Sequence, residues 1–135
     1  MKYTEQKYTL TVTESQLRLI ANCVEDMSRF MGGQMELWNA TSKLNNFIEL
    51  KERLDDLHSL VTPNLPRNAS YGWNGGGCPN KYQEEFIAKT YAIYREIRHR
   101  LSVLNKDPND ENYNVYDSST LTCKLGGELP KIEKV

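Results

Sequence analysis

The chain has 135 residues, of which 39% are hydrophobic and 26% charged, and its 17 basic and 18 acidic side chains leave a formal net charge of −1. This length and composition are typical of one globular domain, and the near-neutral charge argues against a dedicated binder of duplex nucleic acid, which needs a concentrated basic surface. No uncharged apolar run approaches the roughly 20 residues of a membrane span, and residues 1–13 lack the apolar core of a secretion signal, so we expect a cytoplasmic protein.

The N-terminal segment predicts a strand followed by a helix. Residues 7–13 alternate β-branched or aromatic residues with others, as strands do, and Thr13 and Gln16 have the spacing of a capping box. The helix that follows, helix A, carries one apolar stripe formed by Leu17, Ile20, Ala21, Val24, Met27 and Met31. A second stripe beside it contains Leu19, Cys23 and Phe30. Because a small domain has few elements to cover both stripes, we expect a homo-oligomer that forms through helix A; the alternative is that helix A is fully buried in the core of one chain.

Two glycines and a polar stretch separate helix A from the next helix. Gly32 and Gly33 disfavour a continuous helix, which predicts a kink or the close approach of another backbone. Ser42 is a candidate N-cap for helix B. The stripe of helix B that we predict to face the core consists of Leu44, Phe47, Leu50, Leu54, Leu57 and Val61.

Residues 62–78 have the composition of an ordered, functional loop. Two prolines and four glycines exclude regular structure there, while Tyr71 and Trp73 add large rings. A loop of this length in a compact domain is typically functional or disordered, and its aromatic residues favour order.

The C-terminal half predicts a third helix and a small sheet. Asn80 and Gln83 fit a second capping box, and helix C then carries a regular apolar stripe of Phe86, Thr90, Ile93, Ile97, Leu101 and Leu104. Residues 113–122 predict one or two short strands, and residues 124–135 predict a flexible tail. The expected fold is a mainly helical α+β domain over residues 1–123, with three helices and a sheet made from the N-terminal and C-terminal strands.

A second face of helix C has a composition suited to ligand binding. Tyr91, Tyr94, Arg95 and Arg98 follow one another at i, i+3, i+4 and i+7. Residues 81–104 contain five basic and three acidic side chains, whereas residues 14–60 contain five and eight. Arginine binds phosphate groups and aromatic rings stack on bases, so this face suits a nucleotide. The alternative is that the tyrosines complete the core and the arginines pair with neighbouring glutamates.

The glycine-rich loop leads directly into the start of helix C, where backbone N–H groups favour anions. Lys81 lies in the first turn of that helix. The segment lacks the G-K-[ST] of a P-loop and the preceding strand of a dinucleotide-binding motif, so a flexible turn is the competing interpretation.

Catalysis and metal binding receive little support from the sequence. Cys23, Cys78 and Cys123 lie far apart, and the two histidines form no metal-binding motif with them, so we expect no metal or other cofactor. No hydrolase or metalloprotease motif is present. We therefore expect a protein that is not an enzyme. If the protein is an enzyme, the candidate nucleophile is Cys78, which lies beside the predicted start of helix C.

Three segments resemble a family of small accessory proteins encoded by tailed phages and prophages. They are SRFMGGQ at residues 28–34, NASYG at 68–72 and YAIYREIRH at 91–99. The resemblance implies a non-enzymatic phage protein that forms homo-oligomers. By analogy, small phage proteins of similar size include anti-defence sponges that sequester cyclic nucleotide or cyclic ADP-ribose signals in pockets between subunits.

These observations lead to one expected function and two alternatives. We expect an anti-defence protein that sequesters a phosphorylated nucleotide-like signal. In its site, Arg95 and Arg98 would bind phosphate. The rings of Tyr71, Trp73 and Tyr91 would bind the base. Asn68 and Lys81 would make polar contacts with the ligand. One alternative is an interaction module that docks on and inhibits a host protein. The other is a small cysteine-dependent enzyme.

Overall fold

The computed structural model describes residues 5–105 and Ile132, and these residues contain five helices. None of the five combines the length and the apolar composition that a membrane-crossing helix requires. The helices, in chain order, are α1 (Glu14–Gly32), α2 (Trp38–Thr41), α3 (Phe47–Asp55), α4 (His58–Val61) and α5 (Lys81–Asn105).

The two long helices, α1 and α5, pack against each other in opposite directions. Ser28 Oγ, near the end of α1, donates to the carbonyl of Ile87 at 3.3 Å, near the start of α5. At the other end, Asn105 Nδ2 lies 2.5 Å from a carboxylate oxygen of Glu14. The apolar contact between the helices is centred on a buried cluster of Ala21, Tyr94, Ile97 and Leu101. The short helices α2 and α4 contact α1.

Helix α1 begins as the sequence predicts. Gln16 N donates to Thr13 Oγ1 at 3.2 Å, and Thr13 N donates to Gln16 Oε1 at 2.9 Å, which completes a capping box. The helix ends at Gly32 because Gly33 adopts a left-handed conformation with φ of 110°. The helix thus ends at the two glycines and does not kink there, whereas the predicted close approach of another backbone is confirmed by the carbonyl of Ala69 beside Gly33.

The predicted α+β fold is wrong for the part of the chain that the structure describes, which contains helices and no strand. Residues 7–13 form no regular secondary structure, and both sides of the predicted alternation are exposed: Tyr8 and Leu10 on one side, Thr9 and Thr11 on the other. A strand needs a neighbour to complete its hydrogen bonds. The predicted neighbour, residues 113–122, lies outside the described residues, as does most of the predicted tail.

Helix B is not one helix. Leu44, Phe47, Leu57 and Leu60 each donate their backbone N–H to the carbonyl three residues earlier, which marks tight turns on both sides of α3. These turns leave two short helices, α3 and α4. No residue of α3 is buried, so the predicted core stripe of helix B does not reach the core.

The apolar stripe predicted for α5 is confirmed in part: its members Ile97 and Leu101 are buried, but the buried face is rotated away from the predicted one. Ile87, Tyr94, Ile97 and Leu101 are buried, whereas Ile93 is exposed. The start of the helix has the predicted cap, because Gln83 N donates to Asn80 Oδ1 at 3.0 Å. The Gln83 side chain, however, does not return to the cap but donates to the carbonyls of Met31 and Val61 at 2.7 and 2.8 Å.

Ile132 lies within the predicted tail, and its side chain packs against the α1–α5 cluster. Its carbonyl accepts a hydrogen bond from Arg100 Nε at 3.3 Å. The boundary proposed at residue 123 falls outside the described residues and stays a prediction.

Candidate functional site

A buried ion pair connects the middle of α1 to α5. Arg98 Nη2 donates to Glu25 Oε1 at 2.9 Å, and Arg98 Nη1 lies 2.8 Å from Glu25 Oε2, so both carboxylate oxygens contact the guanidinium. Arg98 Nη2 also donates to Asn22 Oδ1 at 2.8 Å. The two side chains are 16% and 8% exposed, for Arg98 and Glu25 respectively. The guanidinium of Arg98, which the sequence predicts to bind phosphate, therefore contacts the carboxylate of Glu25.

The same carboxylate holds the segment that follows α1. Asn39 Nδ2 donates to Glu25 Oε1 at 2.7 Å, and Arg29 Nη2 lies 3.3 Å from Glu25 Oε2. The neighbouring Asp26 accepts the backbone N–H groups of Asn39 and Ala40 at 3.0 and 2.8 Å. Both buried carboxylates are thus fully hydrogen-bonded, and they fix α2 against α1.

A cleft of about 390 Å³ opens above these groups. Its lining is mostly polar and consists of Glu25, Asp26, Arg29, Glu36, Trp38, Asn39 and Arg98. Arg98 is the one predicted site residue that lines this cleft. Sequence reasoning missed the other six, although a signal existed: Glu25 and Asp26 stand in a helix whose neighbouring positions are apolar, where carboxylates need partners.

The environment of the ion pair shifts two pKa values in opposite directions. Burial would raise the pKa of Glu25, but hydrogen bonds from Arg98 and Asn39 and the charges of Arg98 and Arg29 outweigh it and hold this pKa below the ordinary 4.5. Burial, together with the nearby Glu25 charge, raises the pKa of Tyr94 to about 12. At neutral pH, Glu25 is therefore charged and Tyr94 is neutral.

Some of the predicted aromatic residues do come together. The ring centroids of Trp73 and Tyr91 are 5.0 Å apart, and those of Tyr91 and Tyr94 are 5.5 Å apart at 81°. The guanidinium carbon of Arg98 lies 5.4 Å from the Tyr94 ring centroid. Trp73 remains 38% exposed at the outer end of this row. Arg95 is half-buried on the same helix.

The other predicted site residues lie apart from this row. Tyr71 is buried, and its hydroxyl donates to Asn64 Oδ1. Asn68 is exposed in a left-handed conformation. Lys81 is exposed in the first turn of α5, ten residues and roughly 15 Å along the helix from Tyr91. The structure does not gather the seven predicted residues around one cavity.

The loop that follows α4 is held against the end of α1. His58 Nε2 lies 2.7 Å from the carbonyl of Ala69, and Tyr71 N donates to the carbonyl of Gly32 at 2.8 Å. Since a carbonyl only accepts, Nε2 of His58 carries the proton. Thr62, fully buried, donates to the carbonyl of His58 at 3.0 Å.

The candidate nucleophile, Cys78, is a buried residue of this loop. Its Sγ donates to the carbonyl of Asn80 at 3.4 Å, and the contacts of the buried His58 are with Thr62 and Ala69. Across residues 5–105 and 132, no group of histidine, cysteine and acidic side chains has the arrangement of a metal site.

Several helices expose apolar side chains, and those on α1 and α3 are considered as contact surfaces. On α1, Leu19, Cys23 and Met27 follow at four-residue steps on the side opposite α5, and Leu19 is 62% exposed. We call this surface the outer face of α1. On α3, Ile48 is 72% exposed, and the half-buried Phe47 touches Trp38 with ring centroids 5.3 Å apart.

Comparison with known proteins does not identify a relative: no protein-family model, curated protein or solved structure matches the chain. The resemblance to phage accessory proteins therefore stays a prediction.

Proposed function

We propose that this chain is a non-enzymatic binding protein that docks on another protein through α3. The observation that carries the proposal is an amphipathic helix without a buried residue. Phe47, Leu50 and Leu54 form its apolar stripe, yet each is only half-buried, and Ile48 beside them is exposed.

Helix formation explains why α3 needs a partner. A helix of nine residues is marginal in water, and most helical stability in proteins comes from packing of the apolar face. Within the described residues, α3 makes no extensive contact with another helix. Docking of α3 in an apolar groove would supply the missing packing.

The charges around α3 indicate the chemistry of the partner. Residues 44–60 contain four acidic and two basic side chains. A groove with a basic rim would complement them and exclude acidic competitors. If the predicted phage origin holds, the partner is a host protein.

The ion pair between Arg98 and Glu25 favours docking over nucleotide capture. An anion that bound this guanidinium would have to displace the Glu25 carboxylate and leave it charged and buried. The burial of Cys78 and the contacts of His58 likewise favour binding over catalysis.

The docking proposal is tested by mutation on the exposed side of α3. Wild-type chain, Ile48→Asp and the control Ser59→Asp, an exposed residue of α4, are compared by quantitative affinity capture from host cells. Circular dichroism confirms that each variant is folded. We expect a stoichiometric partner that Ser59→Asp retains and Ile48→Asp loses at least tenfold, and that binds the purified wild-type chain. Equal capture by all three chains would refute docking through α3.

The partly exposed pair of Trp73 and Tyr91 supports a second candidate, the capture of a phosphorylated nucleotide-like molecule. These rings offer a stacking surface, and Arg95 lies on the same helix. Calorimetric titration with cyclic dinucleotides, cyclic trinucleotides and cyclic ADP-ribose isomers tests it. We expect binding that Trp73→Ala abolishes and the matched control Trp38→Ala preserves; no heat with any ligand removes this candidate.

The outer face of α1 supports the predicted homo-oligomer. Its exposed positions Gln16, Leu19, Cys23 and Met27 are uncharged. Two copies related by a two-fold axis place the same surface on both sides, so an uncharged face avoids opposition of like charges. A second copy of this chain is therefore the occupant that we propose for this face.

A further inference from the structure

The cleft above the Glu25–Arg98 pair has one acidic residue whose charge is not used in the fold. Glu25 and Asp26 are satisfied by the contacts given above. Glu36 lines the same cleft, is half-buried, and makes no ion pair or side-chain hydrogen bond within residues 5–105 and 132. Its carboxylate is thus available to a ligand.

The wall of the cleft beside Glu36 is aromatic. Trp38 lines the cleft and is 57% exposed, while Phe47 meets it in a T-shaped contact at 84° that supports the indole from one side. An open indole attracts cations through the negative charge on its ring face, and more strongly than the other aromatic side chains do.

The charge balance of the lining also favours a cation. Three carboxylates face two guanidiniums, and both guanidiniums are directed at Glu25. The lining therefore carries one surplus negative charge; Asp26 is hydrogen-bonded to backbone N–H groups, whereas Glu36 has no side-chain partner among the described residues. A bound anion would have to break the Glu25 contacts, whereas a cation leaves them intact.

We propose that this cleft binds an organic monocation, an ammonium or guanidinium group, between the Trp38 indole and the Glu36 carboxylate. The volume of about 390 Å³ accommodates such a group together with several carbon atoms. The cation can be a free amine or the side chain of a lysine or arginine. The inference does not require docking through α3, because a free amine satisfies it.

Tryptophan fluorescence tests the proposal in the Trp73→Phe background, which leaves Trp38 as the one tryptophan of the chain. Tetramethylammonium and Nα-acetyl-lysine methylamide are the cationic probes, and neopentyl alcohol is a neutral probe with the shape of tetramethylammonium. We expect a saturable change with both cations, with a Kd on the order of 1 mM, and none with the alcohol.

Two variants localise the binding. Glu36→Gln should weaken cation binding at least fivefold, because it removes the charge and keeps the shape. Glu49→Gln, which removes an exposed carboxylate of α3, should leave it unchanged. No saturable response, an equal response to the alcohol, or an equal loss in both variants overturns the proposal.

A third comparison distinguishes the two possible sources of the cation. A peptide with one internal lysine is compared with the free blocked lysine. Tighter binding of the peptide assigns the site to a side chain carried by a partner, and equal binding assigns it to a free amine. Because this assay contains no partner protein, its failure is distinguishable from failure of docking through α3.

Discussion

Glu25 contacts side chains from three helices: Arg29 on its own helix, Asn39 on α2 and Arg98 on α5. Its carboxylate is buried, yet it stays ionised because these donors outweigh the cost of burial. Such a pair adds little stability relative to apolar packing, but loss of one partner leaves the other charge buried without compensation.

We expect Glu25→Ala to lower the free energy of unfolding by about 3 kcal/mol, because Arg98 then lacks its carboxylate. The matched control is Glu49→Ala, which breaks an exposed pair with Arg53 and should cost less than about 0.5 kcal/mol. Urea unfolding measures both. Equal costs would show that Glu25 has no special structural role.

The lowered pKa of Glu25 also predicts how stability depends on pH. A carboxyl whose pKa is lower in the folded state contributes stability above its unfolded value, here 4.5, and loses it as the pH falls through the folded value. The wild type should therefore be more stable than Glu25→Gln at pH 7, and this difference should shrink below pH 4.5. Urea titrations from pH 7 to pH 3 measure it, and a constant difference would contradict the assignment.

The sequence shows the spacing of Tyr91, Tyr94, Arg95 and Arg98, but not which way their face turns. Both the ligand-binding interpretation and the structural alternative fit the same pattern. Glu25, whose contact with Arg98 makes the structural alternative the correct one for this arginine, lies 73 residues earlier in the chain. Local periodicity carries no information about a contact at that separation, so the cleft could not be predicted.

At the scale of elements, the end of α1 depends on Gly33, which has no room for a side chain. A Cβ on Gly33 would lie 2.9 Å from the carbonyl of Ala69 and 3.1 Å from both His58 Nε2 and Thr62. The left-handed backbone there adds strain for any other residue. Gly33 thus permits the loop to lie against the helix end.

We expect Gly33→Ala to destabilise the protein by about 1–3 kcal/mol, through strain and separation of the loop. Gly72→Ala is the control: its nearest neighbour is a side-chain oxygen at 3.4 Å, and its φ is not positive. Thermal unfolding should show a lower Tm for the first variant and a nearly unchanged one for the second. Equal shifts would contradict the role of Gly33.

Elements whose signals are local could be predicted, and those that depend on distant partners could not. Thr13 and Gln16 start α1 as expected, and Asn80 caps α5, because both caps involve residues three positions apart. The strand at residues 7–13 required a partner that local alternation does not supply. The stripe of helix B gave no sign of the turns that separate α3 from α4.

At the scale of the whole molecule, the outer face of α1 predicts self-association. Sedimentation should give the wild-type chain twice its own 15.6 kDa, since pairing buries Leu19, Cys23 and Met27. Leu19→Glu should reduce the mass to that of one chain, and Ser59→Glu should not. A wild-type mass of 15.6 kDa, or the same oligomer in Leu19→Glu, would rule out this interface.

The pairing of α1 with α5 also constrains how the protein is made. Leu101, which packs near Ala21, is synthesised 69 residues after Gly32 completes the first helix. At about 5–20 residues per second, the nascent chain carries an unsatisfied hydrophobic stripe for roughly 3 to 14 s. During that interval the growing polypeptide exposes apolar surface of the kind that chaperones bind.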